Sequence, residues 1–273
     1  YADKVSRIMS QDHPRGGGFP TVADIEKIEL DLGMEVFRER FANAGDFTFF
    51  LVGNFDIDEI TPLLNLYLGS LPSSDERENF KDLGIRPPKG VVNEVVNKGT
   101  DPKSMVTINF TGEKPFEKQS NYALKSLGEL LSIKLIEILR EDKSGVYGVG
   151  ASGSSSKLPY ESYTMRISFP CAPENVDDLI AATMGEIEKV KASGASDEDL
   201  QKIKETQRRD REEGLQTNNY WLGMLGAYYR NGSSLDGFYE YEKQINALNS
   251  DDLKKAANEL LDMKNYIQIV LMP

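Results

Sequence analysis

Among its 273 residues the chain has one histidine, His13, and one cysteine, Cys171. A lone cysteine excludes an internal disulfide and leaves the redox compartment open. A lone histidine excludes a zinc site built from several imidazoles, and any Ser–His or Cys–His pair could draw only on His13. His13 stands between Asp12 and Pro14 in a glycine-rich loop and reads as a surface residue. No apolar run approaches the roughly 18 residues of a membrane span; the longest, around Phe49-Phe50-Leu51-Val52, is strand-sized. Basic residues are too few to balance the acids, 32 against 44, and the net charge of −12 opposes general affinity for phosphate backbones or anionic membranes. Such a charge keeps a protein soluble and leaves basic peptides as complementary partners. The chain opens on Tyr1 with no methionine, signal peptide or lipidation motif, so it reads as an excised or processed piece.

What is present belongs to a soluble globular protein, with 39% hydrophobic and 28% charged residues, long enough for one domain and part of another. Gly16-Gly17-Gly18 neither follows a strand nor opens a helix, so it is not a phosphate cradle. Thr21 and Asp24 have N-cap spacing ahead of Ile25, Ile28, Leu32, Val36 and Phe37, which recur at helical period. Residues 46–53 form an apolar strand pattern, and Asp56 with Glu59 caps a helix over 60–68. Ser, charge and Pro87-Pro88 make 73–90 a linker.

From Val91 the pattern restarts. Residues 91–96 and 104–110 alternate like paired strands, and 121–140 is a helix with Leu124, Leu127, Leu131, Leu135 and Ile138 on one stripe. Strands are expected over 146–152 and 160–169, with Gly153-Ser154-Ser155-Ser156 as the hairpin loop between them. Helices follow over 176–191, 196–213, an aromatic-striped stretch of 220–229 read as core, and 249–261; a last strand covers 266–272. Arg208, Arg209 and Arg211 are interleaved with acids and read as a solvated face. Helix, polar turn and apolar strand occur in that order both early (residues 26–52) and late (residues 242–271). That echo implies two related domains: closing elements of a first one plus linker over 1–80, and a complete one over 81–273.

The organising stretch is Leu139-Arg140-Glu141-Asp142-Lys143-Ser144-Gly145-Val146-Tyr147, where the long helix turns into a strand. Arg140 closes the helix and Tyr147 opens the strand. A guanidinium is a rigid fork of donors that keeps its charge, and a phenol adds one more donor. The pair suits a carbonyl oxygen gaining negative charge. The plainer account is that Arg140 complements the helix C-terminus and Tyr147 fills a half-buried strand.

These features together resemble the insulinase/pitrilysin family of zinc peptidases. Asn43-Ala44-Gly45-Asp46-Phe47-Thr48-Phe49-Phe50-Leu51-Val52-Gly53 and Leu63 to Pro72 look like the unit that finishes one domain of those proteins. Leu139-Arg140 through Tyr147 is similar to the helix–strand joint of their C-terminal half. The resemblance implies an α+β fold, an α/β roll with an antiparallel sheet and helices packed on one face. It implies that Arg140 and Tyr147 hold substrate backbone near the scissile bond. The family's His-x-x-Glu-His signature is absent, so this would be the non-zinc half, with zinc in the parent enzyme and none in this chain. Implied partners are a peptide substrate and a zinc-bearing N-terminal half of the same polypeptide or of a partner subunit. Bacterial relatives point to the periplasm or cell envelope. A non-catalytic scaffold of the same fold is the alternative; nucleic-acid binding through an open sheet is opposed by the acidic balance.

Overall fold

Ser104–Glu113 is β-branched or aromatic at alternate positions and becomes the central strand of a five-stranded sheet. The structure, a computed structural model, describes residues 1–143, 146 and 148–273, with the side chains of residues 141 and 142 set aside. The strands are β1 (Val91–Asn97), β2 (Ser104–Glu113), β3 (Gly150–Ser156), β4 (Ser162–Cys171) and β5 (Tyr266–Met272), in spatial order β1-β5-β2-β4-β3. Along the chain the helices are α1 (Ala2–Met9), α2 (Val22–Ile25), α3 (Leu30–Phe41), α4 (Ile57–Tyr67), α5 (Lys118–Leu135), α6 (Val176–Ser193), α7 (Asp197–Leu215), α8 (Asn218–Asn231), α9 (Asp236–Tyr239), α10 (Tyr241–Ala247) and α11 (Ser250–Leu260). Two compact units result. One comprises Tyr1–Gly18, Asp82–Arg209 and Tyr239–Pro273; the other comprises Phe19–Lys81 and Asp210–Phe238.

The first unit holds the sheet, and its α+β class is the expected one. The ladder is antiparallel except at its margin, where β1 runs parallel to β5 and pairs Val91 with Tyr266 through Asn97 with Met272. The expectation of a wholly antiparallel sheet is corrected there. Strands so far apart in sequence need no hairpin, so either direction is open to them. On one face Val106, Ile108 and Phe110 of β2 stand beside Phe169, Ile167 and Met165 of β4. Leucines of α5, Leu179 and Ile187 of α6, and Leu253 and Leu260 of α11 close over them into one core. Each such side chain taken wholly out of water contributes about 1.5–3 kcal/mol. The other face of β2 presents Thr107, Asn109 and Thr111, also buried, with the Tyr1 hydroxyl bonded to Thr107 Oγ1 (2.9 Å) and the Ile269 carbonyl oxygen (3.0 Å).

Gly153-Ser154-Ser155-Ser156 is not the hairpin loop; it is the second half of β3, and the ladder to β4 runs through it to Ser156–Ser162. The reason is a close approach by α5. A Cβ on Gly128 would lie 2.7 Å from the Gly153 nitrogen, and one on Gly153 only 2.3 Å from the Leu124 carbonyl oxygen. Small residues here let a helix backbone touch a strand backbone. Ser132 then completes the join, its Oγ accepting from Ala151 N–H and donating to Ala151 O, both at 2.9 Å. The helix thereby covers part of the sheet edge.

The second unit has no sheet. Thr21 caps α2 through a capping box with Asp24, as its spacing predicts, but the helix stops at Ile25 and a second one, α3, starts at Leu30. The expected strand at 46–53 is a 3-10 turn, Ala44–Asp46, followed by irregular chain, extended at Phe47, with no ladder partner among the described residues. Part of the expected linker is tied down: Asn43 donates to the Glu76 carbonyl (2.9 Å) and accepts from Ser74 N–H (2.8 Å). The aromatic stripe of α8 was expected in a core. None of its residues is buried, and Tyr229 is 64% exposed. Phe37, Phe41, Val22 and Leu30 are likewise exposed, because this unit offers its helices no sheet to cover.

Gly153→Ala should destabilise the first unit by about 1–3 kcal/mol, the range for overpacking a tight contact. Urea unfolding followed by far-UV circular dichroism measures it, and an unchanged midpoint would contradict the close approach.

Candidate functional site

Helix α5 sends Leu124, Leu127, Leu131 and Leu135 into the core as its periodicity predicts. Past Leu135 the chain widens into a π-helical turn, Ile136–Asp142, whose bonds reach five residues back, as Lys143 N–H does to Ile138 O (3.2 Å). A wider turn rotates each residue less. Leu139 therefore continues the buried stripe, and Ile138, expected on it, is only partly buried. Such turns recur at functional sites because they re-aim a side chain without ending the helix.

Arg140 follows the buried Leu139 and is exposed. Among the described residues no carboxylate pairs with it. Val146, six residues on from Arg140, is again in the core at 8% exposure. Tyr147, the second expected site residue, lies outside the described residues, as do Ser144 and Gly145. Two core anchors, Leu139 and Val146, thus stand immediately before the two residues named from the sequence. A permanently charged donor fork on such a mount can hold a carbonyl oxygen or a carboxylate.

The mount is braced by polar contacts to α7 that sequence reasoning did not find. Lys134 Nζ reaches Asp199 Oδ2 at 2.9 Å and Glu137 Oε2 at 3.0 Å, and Asp199 is 2% exposed. Burial pushes the Asp199 carboxyl up, but the Ser196 hydroxyl (2.6 Å) and Lys134 outweigh it and hold its pKa below the ordinary value. Burial also opposes the Lys134 charge, and the two carboxylates outweigh that and raise its pKa. Two turns further on, the buried Gln207 accepts from the Tyr122 hydroxyl and donates to Ser126 Oγ (3.0 Å) and to Glu129. Ser196-x-x-Asp199 was legible as a helix start; its ion pair with a lysine 65 residues earlier had no local signal. Arg208, expected on a solvated charged face, pairs there with the exposed Glu242 at 2.9 Å.

Among the described residues no metal set is assembled. His13 is half-buried, and its Nδ1 accepts from Arg15 N–H (3.0 Å). Burial pushes the Cys171 thiol up to about 11, away from the thiolate a metal needs. Among the described residues no three His, Cys, Asp or Glu side chains could hold an ion together. The described residues do not fit zinc.

Two outcomes separate bracing from display. Asp199 has a depressed folded pKa, so its contribution is present above the unfolded carboxylate pKa and is lost as pH falls through the folded value. Asp199→Asn should cost about 2–3 kcal/mol near neutrality, somewhat under the range for breaking a buried pair because Lys134 is partly solvated. The deficit should shrink in acid, read by urea titrations at neutral pH and near pH 3. Arg140→Ala, by contrast, should change stability by no more than about 0.5 kcal/mol, as for a surface residue. A large drop in melting temperature would make Arg140 a structural residue.

The family described as the peptidase M16 inactive domain matches residues 34–207. A zinc protease PQQL-like protein of Arabidopsis thaliana is 26% identical over 223 residues, covering 75% of this chain and 23% of its own length. The probable zinc protease PqqL of Escherichia coli is 28% identical over 179 residues, covering 63% of this chain and 18% of its own. The chain therefore spans about a quarter or less of the curated relatives it matches. Among solved structures, the periplasmic protease PqqL of Escherichia coli superposes with a TM-score of 0.80 at 20% identity, over 100% of this chain and 30% of that one. A peptidase M16 inactive domain from Pseudomonas fluorescens gives 0.78 at 16% identity, over 100% of this chain and 65% of that one. No helix among the described residues is long and apolar enough to cross a membrane. With the match covering more than half its length, the chain belongs to the peptidase M16 family as its inactive domain.

Proposed function

We propose that this chain is the C-terminal, substrate-binding half of a zinc-dependent endopeptidase that encloses and hydrolyses peptides, inactive without its companion. The observation that carries this reading is the exposed Arg140 guanidinium on a core-anchored π-helical turn, in a chain of the inactive-domain family. Arg140 and Tyr147 donate hydrogen bonds to the substrate carbonyl or to the tetrahedral oxyanion. Zinc sits in the companion half, whether upstream in the same polypeptide or in a partner subunit, and no step on the metal involves residues of this chain. Residues 1–80 are closing elements of a preceding peptidase-like domain plus linker, and 81–273 form the complete C-terminal domain. The apolar residues left exposed between Val22 and Leu66 support a first segment that belongs with another domain, although the compact units join 1–18 to the sheet and 210–238 to 19–81. The site of action is the bacterial periplasm or cell envelope, in line with the periplasmic PqqL that the fold matches.

The chain mixed with its zinc-bearing half should cleave an unfolded peptide, and Arg140→Ala should lower kcat by about 100- to 1,000-fold, the usual cost of losing one oxyanion donor. Tyr147→Phe should lower it in the same sense. Full activity in both variants removes the assigned roles. A reconstituted pair inactive even with wild-type residues favours the second reading, a scaffold of the same fold.

A further inference from the structure

One cavity of the first unit has no part in the site described. It holds about 420 Å³ at one end of the sheet, where the C-terminal end of β2 meets the segment leading into β1 and the turn before β4. That is within the size range of small-ligand sites and ample for two amino-acid residues. One wall is a fixed stack: the Arg86 guanidinium lies 3.5 Å from the centroid of the Tyr160 ring. Asp82 clamps the fork from the other side, with Nη1–Oδ1 at 3.0 Å and Nη2–Oδ2 at 2.6 Å. Pro87 and Pro88 form a second wall, rigid by construction, and Gly112 lines the cavity between Thr111 and Glu113. Asn265 holds this end of the sheet together, accepting from Gly90 N–H and donating to the Thr111 carbonyl, both at 2.8 Å. None of these walls needs to be built when a ligand arrives.

The rim carries opposite charges with unused capacity. Lys89 is exposed and has no ion-pair partner among the described residues. Glu113 is 74% exposed in its side chain, and its one ion pair among the described residues is with Arg86 Nε at a long 3.6 Å. Flat rigid walls below and one exposed charge of each sign above match a short zwitterion with a bulky planar side chain.

We propose that this cavity binds short unblocked peptides, two residues long, with an aromatic side chain against the Arg86–Tyr160 and proline walls, the carboxylate at Lys89 and the ammonium at Glu113. The proposal stands on the cavity and its rim alone, so its failure leaves the reading of Arg140 untouched.

The probe is the free dipeptide phenylalanyl-phenylalanine, titrated into the 273-residue chain while amide shifts are followed by NMR. Saturable shifts at Lys89, Gly112, Glu113 and Tyr160 are expected. Amidating the carboxyl end should weaken binding about tenfold, as loss of one charge-assisted contact does, and Lys89→Ala should weaken the free dipeptide equally. In Lys89→Ala the amide should then cost nothing further. Acetylating the amino end should act the same way with Glu113→Gln; both variants change exposed residues, so folding is not at stake. Absence of saturable shifts, or shifts confined to residues away from the cavity, overturns the site. Equal binding of the doubly blocked peptide overturns the charge assignment and with it the ligand class.

Discussion

Helix α5 and strand β3 meet backbone to backbone, a contact that exists only because Gly128 and Gly153 face each other and Ser132 occupies the amide and carbonyl of Ala151. Much of the first unit depends on it. The contact sets how far the helix lies over the sheet, and so which leucines meet Phe110, Met165 and Ile167. It also fixes the far end of α5, and therefore the place where the helix widens and Arg140 leaves the core. A single added carbon at either glycine would move the helix, and a chain of buried contacts would move with it.

The brace to α7 acts on the same helix by a different physical route. Packing against β3 is short-ranged and indifferent to pH, whereas the Lys134–Asp199 pair is electrostatic and depends on protonation. Between them the last turns of α5 are held on two sides. That arrangement accounts for a π-helical turn persisting where an ordinary helix would fray: Leu139 and Val146 are drawn into the core on either side of it. Preorganisation of this kind is what a hydrogen-bond donor aimed at developing charge requires, since it must not reorganise when the charge appears.

The two units differ in how far their apolar surface is satisfied. The first buries its leucines against a sheet. The second keeps Phe37, Phe41, Leu30 and Val22 largely in water although its helices are amphipathic. Its rings touch each other instead, with Phe37 and Phe41 stacked at 4.7 Å and Phe41 edge-on to Phe47 at 5.7 Å. Contacts among rings alone recover only part of what burial under a sheet would supply.

Much was legible in the sequence because it rests on local periodicity. Alternation along Ser104–Glu113 and Ser162–Cys171, the leucine stripe of α5, the cap at Thr21 and the helix starting at Asn249 are all short-range signals. So are the absences, one histidine and one cysteine, which exclude a zinc site of several imidazoles and an internal disulfide before any fold is known. What failed was long-range. Gly153-Ser154-Ser155-Ser156 has the composition of a loop, and only the approach of α5 makes it a strand. The α8 aromatics have the spacing of a core, and only the absence of a sheet in their unit leaves them half in water. Arg86 stacked on Tyr160 and Lys134 paired with Asp199 join residues 74 and 65 positions apart. Spacing along the chain determined which elements form; which of them touch was decided by the tertiary structure, because burial and charge pairing act through space.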